Sequence, residues 1–411
     1  MNPDEAAFLT TRSEQLRSRT GFTRRDVLKM GAALSVASGI AQFAPAGSAR
    51  AATLDAASPI VKPLPPEWFV NYGTNAEMRW DAVPGLGYKI PNERFFVRDH
   101  TATPVIDVQT WQLEVFGSGL HGPGRTFTYD QLRQLPQREV VAFIECAGNG
   151  RSFFALQQGT PAPGTQWGLG AIGVARWRGV PLAEVLKRAG LSRRAVDVMP
   201  SGLDATVVSG GIDYGHVRRP IPIAKALDDA LLVLEMNGEP LPPDHGFPLR
   251  LVVPGWIGVA NIKWVGQIEV SDQPLFSLWN TQQYVMTGDA YPDQPVVTTQ
   301  TVKSAWELAR GAELSAYTPV ALTGRAWSGT SPIHRVDVSI DQGATWTQAR
   351  LNRRNGAWVR FRYTFPPRPA GDFELWARAT DAQGRTQQPT VPFNNGGYKF
   401  GAIVRHPVVV V

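Results

Sequence analysis

"EVVAFIECAGNGRS", Glu139 to Ser152, decides how this 411-residue chain is read. From Glu139 to Cys146 it is a continuous apolar run, the pattern of a buried strand. The run ends on the chain's single cysteine, and a Gly-Asn-Gly turn follows, with Arg151 just beyond it. A loop at a strand end is held by a rigid sheet yet stays open to a ligand. One cysteine cannot staple the chain, so Cys146 is a small buried hydrophobe, a thiolate nucleophile or a soft metal ligand. Arg151 could stabilise a thiolate or bind an anion.

Outward from this strand the chain mixes helices and strands. "RFFVRDH" (Arg94 to His100) reads as a short strand entering a polar loop, and "WQLEVFG" alternates like a half-buried strand. "TYDQLRQLP" and "IPIAKALDD" read as short helices. "PLAEVLKRAG" is a third, with Pro181 at its first helical position and Gly190 as its stop. Asn237-Gly238 in "LLVLEMNGEPLP" is a hairpin signal. From about residue 295 the pattern changes to short alternating strands separated by turns. Val336, Val338 and Ile340 share one face, as do Phe373, Leu375 and Ala377. The expected architecture is an α+β domain followed by an immunoglobulin-like β-sandwich.

The N-terminus is separate from both. A polar basic stretch ends in "TRRDVLK", a weakly apolar run covers Met30 to Ala46, and "SARAA" offers small residues for cleavage. The paired Arg24 and Arg25 predict a twin-arginine signal over 1–51, and hence a periplasmic protein. Of the 41 basic and 35 acidic residues, seven and four lie in that segment. The small excess left over gives no pull toward nucleic acid. No later stretch is long enough for stable membrane insertion.

Several chemistries lack their motifs. The six histidines show no H-E-x-x-H spacing, there is no C-x-x-C-H for covalent haem, and no G-x-S-x-G elbow is present. "GLGAIG" (Gly168 to Gly173) fits G-x-G-x-x-G in letters only. It follows a proline-glycine segment rather than a strand, so these glycines are expected in a loop passing close to another surface.

"FFVRDH", "ECAGNGRS", "WGLGAIGVARWRGVPL", "LEMNGEPLPPDHGFPLRLVVPGWIGVANIKWVGQIEV" and "LWNTQQY", in this order and spacing, resemble the sulfite oxidase family of molybdopterin enzymes. The resemblance runs from about residue 60 to 411. It implies a molybdopterin-binding domain over 52–292 and an immunoglobulin-like dimerisation domain over 293–411. It implies one molybdenum-molybdopterin cofactor per chain, with Cys146 as the protein thiolate on the metal. Arg98, His100, Asp204, His245, Arg250 and Lys263 match the family's cofactor-holding positions, where cations suit the pterin phosphate. Arg98, Arg151 and Tyr284 match its substrate pocket, and Trp167 its wall.

The activity implied is oxidation of sulfite to sulfate by oxygen-atom transfer. With no haem in this chain, electrons would pass to a separate acceptor such as a periplasmic cytochrome c, and the protein would be a homodimer. The alternative is a reductase of an S-oxide or N-oxide on the same cofactor. The family pattern is not matched at Asp99, Gly150 and Gly396. At Gly396 the family carries a pocket arginine, and its loss is expected to weaken sulfite binding by about 1–3 kcal/mol.

Overall fold

The computed structural model describes residues 59–352 and 357–411. The signal segment expected over 1–51 lies outside the described residues. Arg138–Glu145 is a strand, as its apolar run predicts, and its second half is buried. It forms one edge of a sheet, antiparallel to Ile172–Pro181, which pairs in turn with Leu231–Met236. Leu231–Met236 then turns through Asn237 and Gly238, both at positive φ (56° and 94°), into Glu239–Pro240. Those two left-handed residues are what an Asn-Gly hairpin turn requires.

A second sheet places Val265–Ser271 between Asp197–Gly202 and Gln112–Phe116. The predicted helices are Tyr129–Arg133, Leu182–Arg188 and Ile223–Asp228. Thr128 caps the first, reciprocally with Gln131. Pro181 stands one residue earlier than expected: it ends its strand in extended conformation and caps the second helix. Leu182, Val185 and Leu186 of that helix join Leu113, Val115, Val265 and Ile268 in one apolar core.

Two further sheets, of four and five strands, form the C-terminal region. Val336, Val338, Leu375 and Ala377 are buried between them, with Ile340 and Phe373 at the margin, the arrangement of a β-sandwich. Its junction with the rest is apolar too. Ala305, Trp327 and Trp358 belong to the same buried cluster as Met78, Ile144 and Trp177. The segment between the two regions also folds back, pairing Val285 with Val296 and Trp256 with Thr299.

The G-x-G-x-x-G lookalike behaves as a point of close approach. A Cβ on Gly170 would lie 1.6 Å from the Met78 carbonyl oxygen. The Gly168 and Gly170 amides donate to the buried Glu77 carboxylate, at 2.9 and 2.8 Å.

Candidate functional site

Cys146 leaves its strand into a loop that is tied down at every residue. Its amide donates to Ala171 O (2.9 Å), Asn149 N returns to Cys146 O (3.0 Å), and Gly150 N reaches Gly168 O (2.7 Å). Gly150 sits at φ 89°, a conformation that favours glycine. The six residues after the strand therefore form a fixed cradle, followed by a short helix, Ser152–Gln158.

A cleft opens over this cradle. Of the ten residues singled out from sequence, eight line it: Arg98, His100, Cys146, Asp204, His245, Arg250, Lys263 and Tyr284. They arrive from separate elements. Arg98 lies on the strand Val97–Arg98, His245 on the single turn Pro243–His245, and Arg250 on the strand Arg250–Val252.

Arg151 is the ninth, and it does not line the cleft. Its guanidinium donates to Thr165 O (2.9 Å) and Gly396 O (3.0 Å) and lies 5.7 Å over the Tyr398 ring. Tyr398 in turn stacks on Tyr284, with ring centroids 5.2 Å apart. A Cβ on Gly396 would stand 2.2 Å from that Tyr398 ring, so a side chain here would displace the tyrosine. Trp167, expected to wall the pocket, is instead a core residue with no exposure, packed edge-on to Tyr72. Aromatic size makes core burial its dominant pull.

The hydrogen bonds around His100 fix its tautomer. Arg98 Nη2 lies 3.1 Å from Nδ1, and a guanidinium only donates, so Nδ1 accepts. The ring proton is then on Nε2, 3.3 Å from Tyr284 Oη, and donates to it. This leaves the Tyr284 hydroxyl proton free to donate into the cleft. Burial pushes Tyr284 up to about 12, so the hydroxyl stays protonated at neutral pH. His100 is held well below its ordinary range by burial and by Arg98, which keeps it neutral. Burial works to lower Arg98, but Tyr284, Cys146 and Tyr398 outweigh it and hold it above the usual value.

Lys263 and Arg250 bring further basic groups to the rest of the cleft. Burial, with Arg98 and Lys62 adding repulsion, holds Lys263 well below its ordinary value. Lys263 bonds Asp99 and the Asp244 carbonyl. Burial brings Arg250 down to about 9. Three lining atoms, Asp204 Oδ1, His245 Nε2 and Arg250 Nε, are buried without a hydrogen-bond partner among the described residues. Buried polar atoms are ordinarily satisfied, so orphans converging on one cleft point to a ligand.

Their chemistry fits a pterin carrying a phosphate. The cations answer the anion, and Asp204 offers an acceptor to ring N–H groups. Among the described residues no group of three or more His, Cys, Asp or Glu could hold a metal ion. Cys146 would offer a metal there its thiolate, a ligand that suits soft, sulfur-bound metals. Sequence reasoning did not pick out Asp99, Asp244 and Tyr398 as partners here, though the first two adjoin motif residues. Asp244 accepts from the amides of Val61 and Lys62, tying the start of the described chain to the cleft.

A deep cationic cleft over one fixed cysteine, on an α+β scaffold joined to a sandwich, defines a cofactor-dependent oxidoreductase of the molybdopterin class. Residues 100–279 match the oxidoreductase molybdopterin binding domain, and 296–395 the Mo-co oxidoreductase dimerisation domain. The chain is 36% identical to sulfite oxidase of Gallus gallus, covering 73% of this chain and 68% of that protein. It is 36% identical to the mitochondrial sulfite oxidase of Homo sapiens, over 74% of this chain and 58% of that one. It therefore spans somewhat over half the length of the mammalian relatives it matches. The structure of the sulfane dehydrogenase SoxCD from Paracoccus pantotrophus superposes with a TM-score of 0.70 at 27% identity, covering 82% of this chain and 86% of that one. The chain belongs to the sulfite oxidase family, and its cofactor is molybdenum held by molybdopterin.

Proposed function

We propose that this protein oxidises sulfite to sulfate at the cleft, passing electrons to a separate acceptor such as a cytochrome c, and that it works as a homodimer. The observation that carries the proposal is the convergence of Cys146, Arg98 and Tyr284 on one cleft beside buried polar atoms without partners. When bound, the molybdenum cofactor supplies oxygen-atom transfer chemistry. Cys146 supplies the protein's sulfur to the metal. Asp204, His245, Arg250 and Lys263 hold the pterin end. Arg98 offers an anion its charge, and Tyr284 donates a hydrogen bond to the same region. His100 keeps Tyr284 aimed there by donating to its oxygen. Arg151, held by two carbonyls behind Tyr398, contributes charge at longer range.

The sandwich matched by the dimerisation family supports the homodimer. Arg24 and Arg25 support export by the twin-arginine route to the periplasm. Among the described residues no helix is long and apolar enough to cross a membrane.

A second reading shares the site and changes the substrate. Gly396, with Tyr398 in the space a side chain there would need, leaves the pocket without the arginine that the family uses for sulfite. The SoxCD likeness points in the same direction, since that protein is a sulfane dehydrogenase. The wild-type protein is expected to carry about one molybdenum per chain, and Cys146→Ser to abolish turnover. Assays with sulfite, with a sulfane-sulfur compound and with an S-oxide, using ferricyanide or a reduced dye, then rank the substrates. Preference for an S-oxide with reduced dye would reverse the proposed direction of the reaction.

A further inference from the structure

Glu145, the residue immediately before the cysteine, has no exposed surface. Lys303 Nζ (2.7 Å) and Asn149 Nδ2 (2.9 Å) donate to its Oε1, and Trp327 Nε1 (2.9 Å) donates to Oε2. Gln300 Nε2 donates to its main-chain oxygen at 2.7 Å. Lys303 and Trp327 lie on the first two paired strands of the sandwich, Lys303–Trp306 and Val320–Trp327, directly opposite one another. Lys303 also donates to Asn149 O (2.9 Å).

The bonds close on the cysteine. Asn149 Oδ1 accepts from Ala171 N at 3.1 Å, and Ala171 O accepts from Cys146 N at 2.9 Å. The carboxylate of one neighbour and the backbone of another thus bracket Cys146, and the anchor of the whole set is in the other region of the chain. A buried ion pair adds little to stability compared with apolar packing of the same volume. Its consistent product here is geometry.

We propose that Glu145 is a positioning residue for the Cys146 sulfur, and that the sandwich, through Lys303 and Trp327, holds that sulfur in register for the metal. This rests on the reading of Cys146 as the molybdenum ligand. Partners that orient a ligand are worth about 10- to 100-fold in metal affinity or activity. In the holoenzyme, Glu145→Gln keeps the side chain's size but sets an amide against three donors. It is expected to retain molybdenum, shift the g-values of the one-electron-reduced metal in electron paramagnetic resonance, and lower kcat per molybdenum by about 10- to 100-fold with KM unchanged. Lys303→Arg alone, which keeps the charge opposite Glu145, is expected to retain most of the wild-type spectrum.

If Glu145→Gln does not fold or load, Trp327→Phe removes a single bond to the same carboxylate and should shift the g-values in the same direction by less. A loaded variant with the wild-type spectrum and kcat per molybdenum overturns the proposal, even if its melting temperature falls. Absence of molybdenum from the wild-type protein instead overturns the reading of Cys146, and the proposal with it.

Discussion

Glu307 in the sandwich and Asp204 in the cleft are both buried carboxylates, and their surroundings push them in opposite directions. Burial opposes ionisation of Glu307, but Arg325 and hydrogen bonds outweigh it and hold the group below the usual carboxylate range. Arg325 Nε (2.5 Å), Thr323 Oγ1 (2.6 Å) and Arg360 Nη2 (3.0 Å) all donate to it. Asp204 receives one long bond from Val217 N (3.4 Å), and burial pushes it up to about 6. The cations differ likewise. Arg325 meets Glu307 and lies 4.2 Å over Trp358, whereas Arg250 bonds the His245 carbonyl and lies 5.3 Å over Trp177, with no carboxylate paired to it among the described residues. Glu307 has its charge met by the chain, whereas Asp204 and Arg250 form no salt bridge among the described residues and leave that place to a ligand; the cleft's Lys263, by contrast, is paired with Asp99.

The sharpest way to break this contrast is in the sandwich. Glu307→Ala leaves Arg325 buried with no carboxylate, and losing one partner of a buried pair costs about 3–5 kcal/mol. Denaturant unfolding of the variant should show that loss, with cofactor chemistry in the surviving protein unchanged. A loss under about 1 kcal/mol would mean the pairing does not serve the fold.

A smaller effect comes from a buried base. His406 sits in the strand His406–Val410, opposite Leu375, and is 1% exposed. Burial brings it from 6.5 down to about 4, aided by Arg310 and opposed by its bond to the Ala309 carbonyl. A base depressed in the folded state favours the neutral form. Its stability contribution is complete above the unfolded value near 6.5 and is lost as pH falls toward 4. The shift corresponds to about 3 kcal/mol. Unfolding at pH 7 and 4.5 should show the wild type losing stability that His406→Gln retains.

The contrast also explains what was legible from sequence. The strand ending on Cys146, the Asn237-Gly238 hairpin and the alternating strands of the sandwich follow from local periodicity and turn chemistry, which a sequence displays directly. The cleft residues were legible because their motifs name them. Arg151 and Trp167 sit in equally telling motifs, yet their placement depends on what surrounds them. Arg151 is turned away by the Thr165 and Gly396 carbonyls, and Trp167 is taken into the core by Tyr72. Glu145 and Lys303 are 158 residues apart and meet only because the sandwich docks on the cysteine loop. No local pattern encodes such a pair.

The smallest effect tests the contrast from the cleft side. A carboxyl raised from 3.8 to about 6 opposes folding above pH 6, because the unfolded chain ionises more easily, and the penalty vanishes below about 4. Asp204→Asn removes the charge and keeps an acceptor for Val217 N. In cofactor-free protein at pH 7 it should therefore raise stability, by about 1–3 kcal/mol, and the gain should disappear at pH 4. The same substitution should lower the molybdenum content of protein made with the cofactor, since a donor on the pterin then meets an amide in place of a carboxylate. A substitution that stabilises the empty protein and weakens the loaded one separates a group kept for a ligand from one kept for the fold. If Asp204→Asn instead destabilised the empty protein as Glu307→Ala does, the two carboxylates would be doing the same work, and the unpartnered atoms of the cleft would lose their meaning as a cofactor's imprint.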